Sequence, residues 1–167
     1  MLSLILAASA VVYLAAVWND LFHRSIPDIL SVAIVGLAIL RLCVASQPGT
    51  PLPTLLTTVA VFAVASFFFA RGWLGGGDVK LVSATTLLVG AEAAFPFLLW
   101  MAIAGGVLSV LVLIWAGVQS RRARRPAVAG QVATDIEGAL SPSPSVPYGV
   151  AISFSALLVL FPQLYQR

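Results

Sequence analysis

Charge is what this sequence has least of. Only 9% of its 167 residues are charged, while 60% are hydrophobic; ordinary soluble domains carry about 25% charged residues. A chain with mean hydropathy +1.05 cannot cover its exterior with water-binding groups, so a soluble globular domain is excluded and an integral membrane protein is implied. Cysteine is nearly absent too. Cys43, the single one, sits inside an apolar run, which rules out an internal disulfide framework and a cysteine zinc site. It reads as a small apolar filler. His23 is the one histidine, so a histidine-based metal site is not expected, and the residue reads as interfacial. No segment alternates with the period of two that a barrel strand requires. A lipid-exposed backbone must satisfy its own hydrogen bonds, which leaves helices. The glycine-rich stretch at 75–77 lacks the Gly-Lys-Ser/Thr of a phosphate loop, because Gly77 is followed by Asp78. Neither a nucleotide nor any other cofactor is expected, and no nucleic-acid partner.

What the chain does have is apolar runs, at about 2–18, 29–46, 54–70, 80–98, 98–118 and 148–165. At roughly 20 residues per crossing they predict an all-α fold: a polytopic membrane helix bundle of about six transmembrane helices forming one domain over 1–167. The fourth and fifth runs are divided only by a weak break around Gly90–Pro96. No basic residue precedes the first run and no small-residue cleavage site precedes Asn19-Asp20, so Met1–Trp18 reads as a retained span rather than a signal peptide. With the N-terminus outside, the inward connections 19–28, 71–80 and 119–147 hold Arg24, Arg71, Lys80, Arg121, Arg122, Arg124 and Arg125, seven of the nine Lys and Arg. The reverse orientation violates the positive-inside rule. The stretch 121–147, rich in Ala, Pro, Ser, Gly and Val, reads as a flexible cytoplasmic loop, and its arginine cluster as a topology anchor that meets anionic lipid.

This orientation puts Asp20 and Asp78 at the same, cytoplasmic face. Acids bordering membrane spans are functional candidates because desolvation makes them costly. Each also has a plainer reading. Asp20 can mark the interface and pair with Arg24 four residues on, and Asp78 can cap the helix that follows it. Gly75-Gly76-Gly77 gives the backbone before Asp78 freedom to turn tightly. Asp28, following Pro27 at the start of a run, reads as a capping or turn residue. Lys80 suits either a nearby carboxylate or lipid phosphate, or simple positive-inside placement.

The set Asp20…Arg24-Ser25-Ile26-Pro27-Asp28, Gly75-Gly76-Gly77-Asp78-Val79-Lys80 and Pro147-Tyr148-Gly149-Val150-Ala151-Ile152 resembles the type IV prepilin peptidases, intramembrane aspartyl proteases of the Gly-x-Gly-Asp class. Length and motif content look like their short, peptidase-only branch associated with Flp/Tad-type pili. The resemblance implies a multi-pass enzyme of the bacterial inner membrane that removes the leader of a prepilin, with Asp20 and Asp78 as the catalytic pair and no metal. It further implies that Gly75 and Gly77 shape the turn presenting Asp78, and that Pro27, Asp28, Lys80, Pro147, Tyr148 and Gly149 shape the site or meet substrate. Two positions depart from the pattern. Asp28 stands where the short branch often has Asn, and Val150 where the longer branch often has Pro. The longer enzymes also carry a cysteine-bearing segment and methylate the new amino terminus; this chain has neither that segment nor a recognisable S-adenosylmethionine site. Two rival readings remain open on the residues themselves: a non-catalytic membrane subunit of a pilus or secretion machine, and a small proton or cation transporter. Against the transporter, no trail of acids leads through the other spans. The oligomeric state is not legible.

Overall fold

The computed structural model describes residues 2–23, 27–44, 51–123 and 148–165. They form six helices: α1 (Leu2–His23), α2 (Asp28–Val44), α3 (Pro51–Ala70), α4 (Gly76–Val89), α5 (Ala91–Ala123) and α6 (Tyr148–Tyr165). Among the described residues there is no strand, and the all-helical membrane bundle is as the sequence predicts. Three stretches, Ser3–His23, Pro51–Ala70 and Ala91–Val118, are long and apolar enough to cross a membrane, and Tyr148–Pro162 is a shorter apolar helix. On α3 and α5 large apolar side chains such as Leu55, Leu56, Val59, Val110, Leu113 and Ile114 point outward and are exposed. Facing water this arrangement is costly; facing acyl chains it is neutral.

Burial concentrates on α4. Nine of its 14 residues are buried, and the helix packs against α2, α3, α5 and α6. At about 1.5 Å per residue it spans roughly 21 Å, short of the hydrocarbon thickness of about 30 Å. A helix that stops inside an apolar surround exposes unpaired carbonyls there, and its neighbours supply the partners. From α2 the Arg41 guanidinium donates to the Leu88 carbonyl. From α3 the buried Thr54 Oγ1 accepts the Ala91 N–H at 3.3 Å. Gly90, at φ +87, closes α4 with its own N–H on the Thr86 carbonyl at 3.1 Å. Along α4, Ser83, Thr85 and Thr86 return their hydroxyls to the carbonyls of Val79, Leu81 and Val82, so these buried polar groups satisfy themselves.

The break expected around Gly90–Pro96 contracts to Gly90 alone. α5 begins at Ala91 and runs on through Pro96, and the boundary expected near residue 98 lies inside a helix. Pro96 is the sixth residue of α5, so its missing N–H removes the ladder bond to the Glu92 carbonyl, a cost that a proline in the first turn does not carry. α5 also continues over 121–123, which therefore do not open the expected loop; 124–147 lie outside the described residues.

The α3–α4 turn is set by a glycine the motif reading passed over. Gly72 has φ +72. Its N–H bonds the Phe69 carbonyl at 2.9 Å, and the Trp73 N–H bonds the Phe68 carbonyl at 3.0 Å. This is the paired bonding of a Schellman helix end. The hydrophobic contact that accompanies such an end is present as well, with Trp73 stacked on Phe68 at 5.8 Å between ring centroids.

Gly72→Ala places a Cβ at positive φ and costs about 1 kcal/mol. Gly36→Ala, on an α2 position where a Cβ meets nothing within 4 Å, gains up to about 1 kcal/mol of helix propensity. Thermal unfolding in detergent is expected to move down for the first variant and up for the second.

Candidate active site

Three helix ends meet at one end of the bundle: the last turn of α1 with Asp20, the first turn of α4 with Asp78, and the start of α6 at Tyr148. The inner face of α1 is drawn by Leu6, Ser9, Tyr13, Ala16 and Asp20, all buried and spaced three or four residues apart as one helix face demands. On α4 the corresponding face carries Asp78, Leu81, Val82, Thr85 and Leu88. Tyr13 and Thr85 join the two faces, the Tyr13 hydroxyl lying 3.1 Å from Thr85 Oγ1. Asp20 stands seven residues after Tyr13 and Asp78 seven before Thr85. α1 runs toward this end and α4 away from it, so both carboxyls lie about 10 Å from that hydrogen bond along their helices. They are level.

Asp20 is only 8% exposed, and a carboxylate so buried requires donors. The first turn of α6 provides them: the Val150 N–H donates to Asp20 Oδ2 at 3.2 Å, and the Gly149 amide faces the same carboxylate. Helix-start amides have no partner of their own and carry the positive end of the helix dipole. Asp20 therefore caps α6 from another helix, which gives the Tyr148-Gly149-Val150 stretch its place. Tyr148 is fixed by α5, where a Cβ added at Gly105 comes within 3.3 Å of Tyr148 Cε1.

Asp78 does not cap α4 in the way its sequence suggests. Gly75 is the cap residue and Asp78 is the third residue of the helix. Its carboxylate reaches back to the Gly75 amide, the returning half of a capping box. That approach excludes a side chain at Gly75, since a Cβ there comes within 2.9 Å of Asp78 Oδ2. Gly76 is constrained as well, by the Phe69 ring at 3.4 Å from its Cβ position. Gly77 lies half-buried in the same turn. Asp78 belongs to the connection before the apolar part of α4. Burial pushes its carboxyl up to about 6; the charge of Asp20 adds to the rise and the Gly75 amide opposes it.

Other expected residues stand elsewhere. Lys80 follows Asp78 by two residues, about 200° around the helix, and its Nζ binds both carboxylate oxygens of Asp28 at 2.8 Å. Asp28 is thus the first residue of α2 and the ion-pair partner of Lys80, rather than a capping residue alone. Both side chains are largely exposed, so the pair contributes at most about 1 kcal/mol. Together with Ser31, Val35, Phe62 and Leu87 they line a separate groove of about 420 Å³ between α2, α3 and α4. Pro27 is exposed and accepts the Leu30 N–H through its carbonyl at 3.0 Å. Pro147 lies outside the described residues. No three His, Cys, Asp or Glu side chains come together as a metal site among the described residues. Sequence reasoning missed Tyr13, Thr85 and the Val150 amide. The signal for the first two was present, as each lies two helical turns from an aspartate on the same face.

A helical membrane protein with two level, partly dehydrated carboxyls at one end, one on a Gly-x-Gly-Asp turn, belongs to the class of intramembrane hydrolase candidates. A family model described as the type IV leader peptidase family matches residues 6–110, which takes in both aspartates, all of α2, α3 and α4 and most of α1 and α5, and the chain belongs to that family. Neither the curated proteins nor the solved structures searched include a match to it.

Because the charge of Asp20 holds the Asp78 carboxyl up, Asp20→Asn is expected to lower the pH at which Asp78 titrates. The carboxyl C=O stretch in infrared difference spectra, with Asp78→Asn as the blank, reads this directly. An unmoved midpoint shows that the two groups do not interact.

Proposed function

We propose that the chain is an aspartyl endopeptidase of a bacterial inner membrane that removes the leader of type IV, Flp-type prepilins at the cytoplasmic face, with Asp20 and Asp78 as its dyad. The six helices then act as one multi-pass peptidase unit with the N-terminus outside. The observation that carries the reading is the shared depth of the two carboxyls, reached twice: once from the distribution of basic residues, and once from the helical register on either side of the Tyr13–Thr85 bond.

Two carboxyls brought close in a poorly solvated cleft share one proton. Their surroundings are unequal. Asp20 meets the Val150 amide at the start of α6, whereas Asp78 meets the Gly75 amide, and burial, with the charge of Asp20, pushes the Asp78 carboxyl up. In the cycle Asp20 serves as the base and Asp78 as the acid, the pair titrating as a unit. Asp20 takes a proton from water as the oxygen adds to the scissile carbonyl carbon, and Asp78 gives its proton to the carbonyl oxygen. The tetrahedral diol then collapses. Asp20 returns its proton to the leaving amine nitrogen, Asp78 recovers one from a diol hydroxyl, and the C–N bond breaks. The pair is restored without a covalent intermediate. A substrate whose apolar helix lies among the spans brings its leader junction to this depth. The alternatives of a non-catalytic subunit or an ion pathway leave the unequal placement of the two acids without a use.

Asp20→Asn and Asp78→Asn are each expected to fold and insert yet to lose cleavage of a co-incubated Flp-type prepilin, by at least a thousandfold for groups that act as a unit. Mass spectrometry of the new amino terminus checks it. Cleavage retained by either inserted variant would falsify the dyad.

A further inference from the structure

Among the described residues Tyr13 is the largest side chain wholly removed from the surface, and its hydroxyl does not touch the proposed dyad. α1 packs closely on α2 and α6, and α4 on α2, α3, α5 and α6, but α1 and α4 are not among the well-packed helix pairs. The two helices that carry the carboxyls therefore stand across a gap, and the Tyr13 ring crosses it. Its hydroxyl meets Thr85 Oγ1 at 3.1 Å, and Thr85 in turn donates to the Leu81 carbonyl at 2.7 Å. Thr85 gives its one proton to α4 and offers a lone pair to α1, so the direction of the bond is fixed. Between this bond and the aspartates the faces carry Ala16 on α1 and Leu81 and Val82 on α4, all buried. They form an apolar floor beneath the carboxyls.

We propose that Tyr13, bonded to Thr85, is a positioning residue that sets the spacing and register of Asp20 against Asp78 from two helical turns away. The aromatic ring fixes how far apart α1 and α4 stand, and the hydrogen bond fixes how far one slides along the other. A slide of a fraction of an ångström changes the distance over which the carboxyls must share a proton, and rates are steep in such displacements. This assignment rests on the dyad reading above.

The two single variants differ in what they leave behind. Tyr13→Phe orphans no donor, because Thr85 keeps its bond to the Leu81 carbonyl, and the ring still fills the gap. Thr85→Val strands the Tyr13 hydroxyl in an apolar place. In a prepilin cleavage assay Tyr13→Phe is expected to lower kcat about tenfold with KM within about twofold. Thr85→Ser, which keeps the acceptor, recovers most of what Thr85→Val loses. The Tyr13→Phe/Thr85→Val double variant is expected to lose no more than the worse single one, since both remove the same bond. The infrared titration of Asp78 is expected to fall in Tyr13→Phe, as a register free to slide weakens the influence of Asp20. Unchanged kcat with an unchanged titration, or multiplicative losses in the double variant, overturns the assignment. If the unaltered protein cleaves no prepilin, the peptidase reading fails by itself, and the titration alone decides whether Tyr13 sets the spacing.

Discussion

The contact on which the bundle's functional end depends is a carboxylate of one helix held by the backbone amides of another. Asp20 of α1 takes the amide of Val150, at the start of α6. In water such amides find partners anywhere. In a bundle of low dielectric they must be met by protein, and an anion is their best match. The same need recurs at the far end of α4, where Arg41 and Thr54 reach from α2 and α3 to a carbonyl and an amide that the helix ends leave open. A helix such as α4, too short for the layer it occupies, has to be capped by its neighbours. Those caps lock the helices to one another.

That constraint shapes the chemistry. The bond that satisfies α6 also orients Asp20. Asp78 is held differently, by an amide of its own helix cap, and only because Gly75 has no side chain to obstruct the carboxylate. Two residues of the same type therefore sit in unlike electrostatic settings at one depth, which is how acid and base roles separate within a carboxyl pair. Lys80, though adjacent in sequence, faces another side of α4 and is spent on Asp28. It ties the beginning of α2 to α4 and leaves the carboxyl pair without a neutralising cation from that residue.

Most of the architecture was legible because membrane spans announce themselves by composition: the helical class and the apolar runs follow from residue type and order. What was not legible depends on exact backbone geometry. The α4–α5 joint was read as a weak break around Gly90–Pro96, where Glu92 and Pro96 suggest a short turn; the turn is Gly90 alone, whose positive φ ends one helix so that the next can begin at once. The plainer reading of Asp78, a helix cap, misses its position: it is the third residue of α4, with Gly75 at the cap. The Gly75–Gly77 run drew attention from Gly72, which has the positive φ that turns α3 toward α4. Tyr13 looked like one more apolar residue in a span, since only its partner on a distant helix gives its hydroxyl a purpose.

The central claim is that Asp20 and Asp78, 58 positions apart in the chain, open into one cleft. Its most direct test is thiol cross-linking in native membranes of a Cys43→Ser chain carrying Asp20→Cys and Asp78→Cys together, with Tyr13→Cys and Thr85→Cys as the reference pair. A short bifunctional thiol reagent is predicted to join both pairs within single chains, as read by mass spectrometry of the linked peptides. Linkage of the reference pair without linkage of positions 20 and 78 would contradict the account.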